Sequence, residues 1–239
     1  EEQISTKKKT IRVLTLGVHK KDTLRLREEI PLVSNKPNVA ELLWYTAEIR
    51  GLDLRPEENV VKARGELFLF VMYTGDDENN SLQWTEHSVP FSGEVECNGC
   101  TADMIPNIEA GVINQNLEVK PDADGEERIF QADVVLELEM KLYREEEHEM
   151  ILDVYTPFRE CILKGKKEKL ESLLIRNFSK CRLSDRIEVK ETQGKILQLC
   201  HSQGRVKVDK TQIVKDGIQV TGIVILKILY IVGNDDMPF

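Results

Sequence analysis

Two stretches of the chain spell nearly the same segment 157 positions apart: Gly65-Glu-Leu-Phe-Leu-Phe-Val-Met-Tyr73 and Gly222-Ile-Val-Ile-Leu-Lys-Ile-Leu-Tyr230. Sliding the sequence against itself by that offset aligns Leu24–Tyr73 with 181–230 without a gap. Identities are few: Arg25/Arg182, Leu26/Leu183, Ile30/Ile187, Leu42/Leu199, Gly65/Gly222, Leu69/Leu226 and Tyr73/Tyr230. The apolar positions agree more widely, as with Ile49/Val206, Leu67/Val224 and Val71/Ile228. Burial is what a fold must keep, so the pattern reads as two copies of one module. Val89-Pro-Phe91 also matches Met237-Pro-Phe239 after a shortened loop.

The expected organisation is a tail or linker over 1–10, a complete β-module over 11–163, and the first half of a second module over 164–239. Half a β-module leaves apolar strands unpaired, so the chain is expected to be a piece of a longer protein. The basic runs Lys7-Lys8-Lys9 and Lys164–Lys169 are expected in solvated linkers.

The fold class follows from periodicity. Leu24, Leu26, Ile30 and Leu32 alternate with Arg25, Arg27 and Glu29, which marks a half-buried strand with Glu28 as the exception. Asn59–Tyr73 is apolar on both faces towards its end, so it is expected at the centre of a sheet covered on both sides. Gly65 and Gly222 interrupt the pattern at one equivalent place, predicting a bulge or a close backbone approach. Hairpins are expected from Asn59–Tyr73 with Ser81–Phe91, and from Leu117–Lys120 with Ile129–Tyr143 around an Asp-Gly turn. Arg144–Glu149 reads as an acidic turn from which Met150–Phe158 returns. Short helical turns are expected after Asn35, with the second copy's counterpart in doubt, and the Leu170, Leu173, Leu174 spacing leans helical over Lys167–Phe178. The sum is a mainly β protein of antiparallel sandwich-like modules in tandem, with minor short helices.

Chemistry-bearing patterns are sparse. Cys97-Asn-Gly-Cys100 is a CxxC, but zinc needs four ligands and Cys161, Cys181, Cys200 and the histidines His19, His87, His148 and His201 are scattered. A tight Asn-Gly turn between two small residues is the simpler reading. Asp122-Ala-Asp-Gly-Glu-Glu127 resembles part of a calcium loop, yet its Gly comes too early and strands flank it, as in a hairpin turn. Glu145–Glu149 reads as solvated charge. Trp44 and Trp84 are the residues that could stack on a sugar. Phosphate loops and a GxSxG elbow do not occur. No catalytic, cofactor-binding or metal residue is assigned, no cofactor is expected, and no binding residue is singled out. The net charge of −9 argues against nucleic acid. Five scattered cysteines fit a reducing compartment, and no apolar run reaches the ~20 residues of a membrane span.

Several stretches together resemble the SPOCS-domain family of spore-coat morphogenetic proteins of endospore-forming bacteria (Firmicutes), of the SpoVID and SipL kind. They are Asn35-Lys-Pro-Asn-Val39, Val61–Leu67 with its strand to Tyr73, Val89-Pro-Phe-Ser-Gly93, Pro121–Arg128 and Leu152-Asp-Val-Tyr155. The resemblance is expected to cover most of the chain. It implies a non-enzymatic structural and interaction role: tethering coat layers to the forespore surface, on the mother-cell cytoplasm side, through protein–protein contacts. The partner it implies is a SpoIVA-like coat scaffold ATPase, with self-association possible in such assemblies. Peptidoglycan would be reached only through a LysM domain, which this chain does not contain. The alternative is a β-sandwich ligand-binding module for glycans of the spore or cell envelope, carried by Trp44 or Trp84.

Overall fold

A computed structural model describes residues 4–162 and 164–233. Six long strands build the first unit: β1 (Ser5–Pro31), β2 (Val39–Glu57), β3 (Val60–Gly75), β4 (Leu82–Glu96), β5 (Ile105–Pro121) and β6 (Glu127–Tyr155). Two more follow, β7 (Ile196–Val214) and β8 (Gly217–Val232). All pairings are antiparallel, in sheets β1-β6-β5, β2-β3-β4 and β7-β8.

The first two sheets face each other. From β1 come Leu26 and Ile30, from β6 Phe130, Ala132, Val134 and Leu136, and from β3 Leu67, Leu69, Val71 and Tyr73, all in one core. The alternation expected over Thr23–Leu32 is realised, with Arg25 and Arg27 turned outward onto Asp133. A second cluster fills the other end, where Cys97, Cys100 and Met104 meet Val61, Leu138, Met140 and Leu142. β3 is central in its sheet and buried on both faces from Leu67 to Tyr73, as its two-sided apolar pattern predicts.

Four expectations are corrected. Glu145–Glu149 is not a turn: β6 runs straight through it to Tyr155. Nor are Lys7–Lys9 in a linker, because β1 begins at Ser5 and pairs with that stretch. The physical reason is shared, since opposite charges across strands support pairing: Lys8 Nζ donates to Glu149 at 2.9 Å and Arg12 Nε to Glu147 at 2.8 Å. Val39–Leu43 is strand from its first residue, and 164–190 carries no regular structure, so the helix expected over Lys167–Phe178 is absent. The single helical element described is a 3-10 turn, Glu191–Gln193, in the copy where it was in doubt.

The hairpin β7–β8 reproduces β2–β3 at an offset of 157, strand end for strand end. Leu42 pairs with Tyr73 and Leu199 with Tyr230; Ile49 pairs with Leu67 and Val206 with Val224. Register shifts recur at Val39/Glu41 and Ile196/Gln198, and again at Leu42/Trp44 and Leu199/His201. The two glycines explain themselves. A Cβ on Gly65 would stand 3.1 Å from the Phe91 ring and from Arg50 O, and one on Gly222 would stand 2.3 Å from Lys207 O. Each lies opposite a bulge, where the partner backbone swings in. The tyrosines also act alike, since Tyr73 Oη donates to Pro37 O at 3.1 Å and Tyr230 Oη to Gln193 O at 3.2 Å. The expected match of Val89–Phe91 with Met237–Phe239 lies outside the described residues.

Candidate interaction surfaces

The cysteine pair belongs to the core. Two chain reversals meet there: Asn59, at φ 59°, closes the β2–β3 turn, and Gly99, at φ 82°, closes the Cys97–Cys100 turn. They are tied by Asn59 N donating to Cys100 O, Cys97 N to Asn59 O, and Gly99 N to Asn59 Oδ1. Cys100 Sγ points at Glu57 O (2.9 Å) and Val60 O (3.3 Å). Burial, then the hydrogen bond with Cys100, pushes the Cys97 thiol up to about 11. A thiol held neutral is a poor metal ligand and a poor nucleophile. No group of three or more His, Cys, Asp or Glu side chains able to hold a metal occurs among the described residues.

The acidic turn after β5 is a hairpin connection. Asp122 Oδ1 accepts from Asp124 N and Glu126 N, and Gly125 takes φ 82°. That carboxylate is occupied by its own backbone, as in the Asx turns of β-connections.

Residues far apart in sequence converge at the turn before β2. Arg128 donates to Lys36 O (3.0 Å) and Val33 O (2.9 Å), and Tyr73 holds Pro37 O. A Cβ on Gly75 would collide with Pro37 Cγ at 2.6 Å. The stretches Asn35–Val39, Gly65–Tyr73 and Pro121–Arg128 therefore meet in one clamp that fixes where β2 enters its sheet. Asp77 closes the neighbouring β3–β4 loop by accepting from the Ser81 hydroxyl, then from Ser81 N and Asn79 N, which holds its carboxyl below the ordinary range.

Two surfaces remain. The first joins the repeats. The outer face of β3 carries Phe68, Phe70 and Met72, and onto it pack Cys200, Leu229 and Ile231 from β7–β8, with Trp84 and Leu82 alongside. Trp44 and His201 are equivalent positions of the two copies, and they touch, ring centroids 5.9 Å apart. His201 also lies 4.5 Å from the Phe70 ring centroid. It is buried, neither ring nitrogen has a hydrogen-bond partner, and its nearest charge is Glu86 at 3.6 Å. Burial also pushes the Cys200 thiol up. Trp44 is half exposed, but its ring stands against Phe70 and His201 rather than flooring a groove, and Trp84 is partly buried with Lys36 Nζ over it at 5.7 Å. Sequence reasoning missed this contact. Its one legible trace was the two-sided apolar run of β3, which requires a second cover.

The second surface is the opposite, inner face of β7–β8. Val224, Leu226 and Ile228 are 43, 48 and 38% exposed, whereas their counterparts Leu67, Leu69 and Val71 are 0–1% exposed. Exposed apolar side chains continue over Leu199, Val206, Ile218 and Val220. A contiguous apolar sheet face of this kind marks an interaction site.

Residues 38–120 match the family model described as SipL, SPOCS domain. This segment is a SPOCS domain. It begins at the clamped turn and runs through β2, β3, β4 and nearly all of β5. The match is shorter than the resemblance expected over most of the chain: Pro121–Arg128, Leu152–Tyr155 and the second repeat lie beyond it. No curated protein and no solved structure matches the chain. The match relates this segment to sporulation and the spore, and to a family of non-catalytic interaction domains.

Proposed function

We propose that the chain is a structural module of a spore-coat assembly protein, tethering coat layers to the forespore surface through protein–protein contacts and catalysing no reaction. The observation that carries this reading is the pairing of a SPOCS domain with a repeat whose apolar sheet face no other described residue covers. Enzymes place polar groups in concave sites, whereas scaffolds present extended apolar or edge surfaces. Here the CxxC is plugged into a core and the acidic turn is satisfied by its own backbone, while the apolar face of β7–β8 is exposed among the described residues. The place of action in this reading is the mother-cell cytoplasm at the forespore surface, and the partner is a coat scaffold ATPase of the SpoIVA kind. A second repeat would strengthen weak contacts with a polymeric layer by raising local concentration.

Fluorescence microscopy of the segment fused to a reporter in a sporulating cell tests this. A ring or cap on the forespore is the expected outcome. Diffuse signal from a folded fusion would sink the tethering role for this segment.

A further inference from the structure

We infer that Cys97 and Cys100 are a latent disulfide: in the folded chain they close on each other when a low-molecular-weight disulfide is present, and the bond staples the corner where the β2–β3 turn meets the connection from β4 to β5. The inference is independent of the tethering role and needs no partner chain.

The backbone supplies the distance. Cys100 N donates to Cys97 O at 3.1 Å, so the two cysteines are the first and last residues of a hydrogen-bonded β-turn. Such a turn keeps its outer Cα atoms within about 7 Å. A disulfide spans Cα atoms roughly 4.4–6.8 Å apart. The pair is therefore held at bridging range without any strand having to move. The side chains supply the direction. Both are fully buried in one cluster with Val61, Met104 and Leu138, and the Cys97 thiol hydrogen-bonds with Cys100. Asn98 and Gly99 between them are exposed, so the tip of the turn meets water while both sulfurs face in. The cluster around Cys200 contains no other cysteine among the described residues, so the arrangement is particular to this corner.

The rest of the corner supplies the rigidity. Asn59 grips the turn at three points: its N donates to Cys100 O at 3.0 Å, its O accepts from Cys97 N at 2.8 Å, and its Oδ1 accepts from Gly99 N at 2.8 Å. The unfolded chain has none of these bonds, and its two thiols meet only as the ends of a short flexible loop. Groups held in reactive geometry behave as though highly concentrated, so the fold itself favours the bond. A Cβ at Gly99 would have nothing within 4 Å, which leaves the outer side of the turn room to swing out and admit a small reagent.

The chemistry is thiol–disulfide exchange. One cysteine, as thiolate, attacks a sulfur of oxidised glutathione and releases one reduced glutathione, which leaves a mixed disulfide. The second cysteine then attacks the protein sulfur of that mixed disulfide and releases the other glutathione. The pair loses two electrons and two protons, and the two glutathione thiols gain them. Burial keeps the thiols neutral and so makes closure slow in the folded state, with Lys20, whose Nζ donates to Glu96 O at 2.7 Å, pulling Cys97 the other way. Once formed, the bond is buried in the same cluster and equally slow to reduce. The pair stays open against a reducing thiol pool and closes outside one.

Trypsin isolates the pair, since no Lys or Arg lies between Arg64 and Lys120 and that segment holds no other cysteine. The full chain is refolded into glutathione buffers of graded ratio, so that slow access does not set the outcome, and a parallel series is kept in urea. Both are quenched with acid, alkylated, digested and weighed by mass spectrometry. The expected product is the 65–120 peptide lighter by two hydrogens and free of alkyl groups. Half-closure of the folded chain is expected at a ratio at least about tenfold more reducing than in urea. The linked chain should then resist unfolding by the same factor, as linkage requires. Three results overturn the inference: a pair that stays alkylatable at every ratio, glutathione carried on Cys97 or Cys100 without a link between them, or closure no more favourable in the folded chain than in urea.

Discussion

The hairpins β2–β3 and β7–β8 have the same lengths, the same two-residue turns, matching register shifts and the same tyrosine latch, yet one is sealed and the other bare. Strand pairing is therefore set locally, by alternation, turn length and glycine placement. Burial is set by what stands opposite. The segments before the hairpins make the same point. Leu24–Leu32 is almost wholly strand because β6 pairs with it, whereas the equivalent 181–189 carries the same apolar spacing and has no regular structure, since no described strand lies beside it. A strand needs a partner for its backbone as well as a pattern for its side chains.

Matched substitutions would break or sharpen that contrast. The largest effect is expected from Leu69→Ala, which empties a fully packed site and costs roughly 2–5 kcal/mol in urea unfolding. Leu226→Ala costs less than about 0.5 kcal/mol because water already reaches the side chain. Equal losses would mean that the inner face of β7–β8 is packed in solution.

The glycines come next. Gly222→Ala drives a methyl into the Lys207 carbonyl, which cannot turn away, and is expected to loosen the hairpin by about 1–3 kcal/mol. Gly65→Ala meets the Phe91 ring, which can yield, as well as Arg50 O, so its cost is the smaller. Thiol labelling gives the readout: Cys161 and Cys181 are exposed and react at once, while Cys97, Cys100 and Cys200 are buried. In Gly222→Ala, Cys200 should lose protection and Cys97 should keep it.

His201→Leu acts in the opposite direction. Removing two buried nitrogens without partners is expected to stabilise docking of the hairpin by about 1 kcal/mol and to slow labelling of Cys200. Faster labelling would show that Glu86 or water satisfies the ring.

The smallest effect is the pH dependence of the first unit. Glu139, paired first with Lys141 and then with His19, is held from its ordinary 4.5 down to about 2. A depressed carboxyl contributes stability above its unfolded value and loses it as pH falls through the folded one. Acid titration of Glu139→Gln should thus give a flatter limb between 4.5 and about 2, with the variant slightly less stable than the parent above 4.5 and equal to it below about 2, a small difference because the pair is exposed. An unchanged limb would assign acid sensitivity elsewhere, with Asp133 beside Arg25 the next carboxyl to replace.

The sequence alone determined the mainly β class, the facing of side chains in Leu24–Leu32 and Asn59–Tyr73, the repeat and its offset, because each is a period-2 or offset pattern carried by neighbouring residues. It determined that Gly65 and Gly222 share a role, and that Asp122–Glu127 is a turn. The tertiary structure alone decided that β1 and β6 extend through charged stretches, because the neutralising partners Lys8/Glu149 and Arg12/Glu147 lie some 140 residues apart. It also decided that Arg128, Tyr73 and Pro37 form one clamp, and that Trp44 meets its own equivalent, His201. Above all it decided which hairpin the described residues cover on both faces and which they leave exposed on one. Apolar alternation specifies a face that must leave water, and only the sheets around it determine whether that face has already done so.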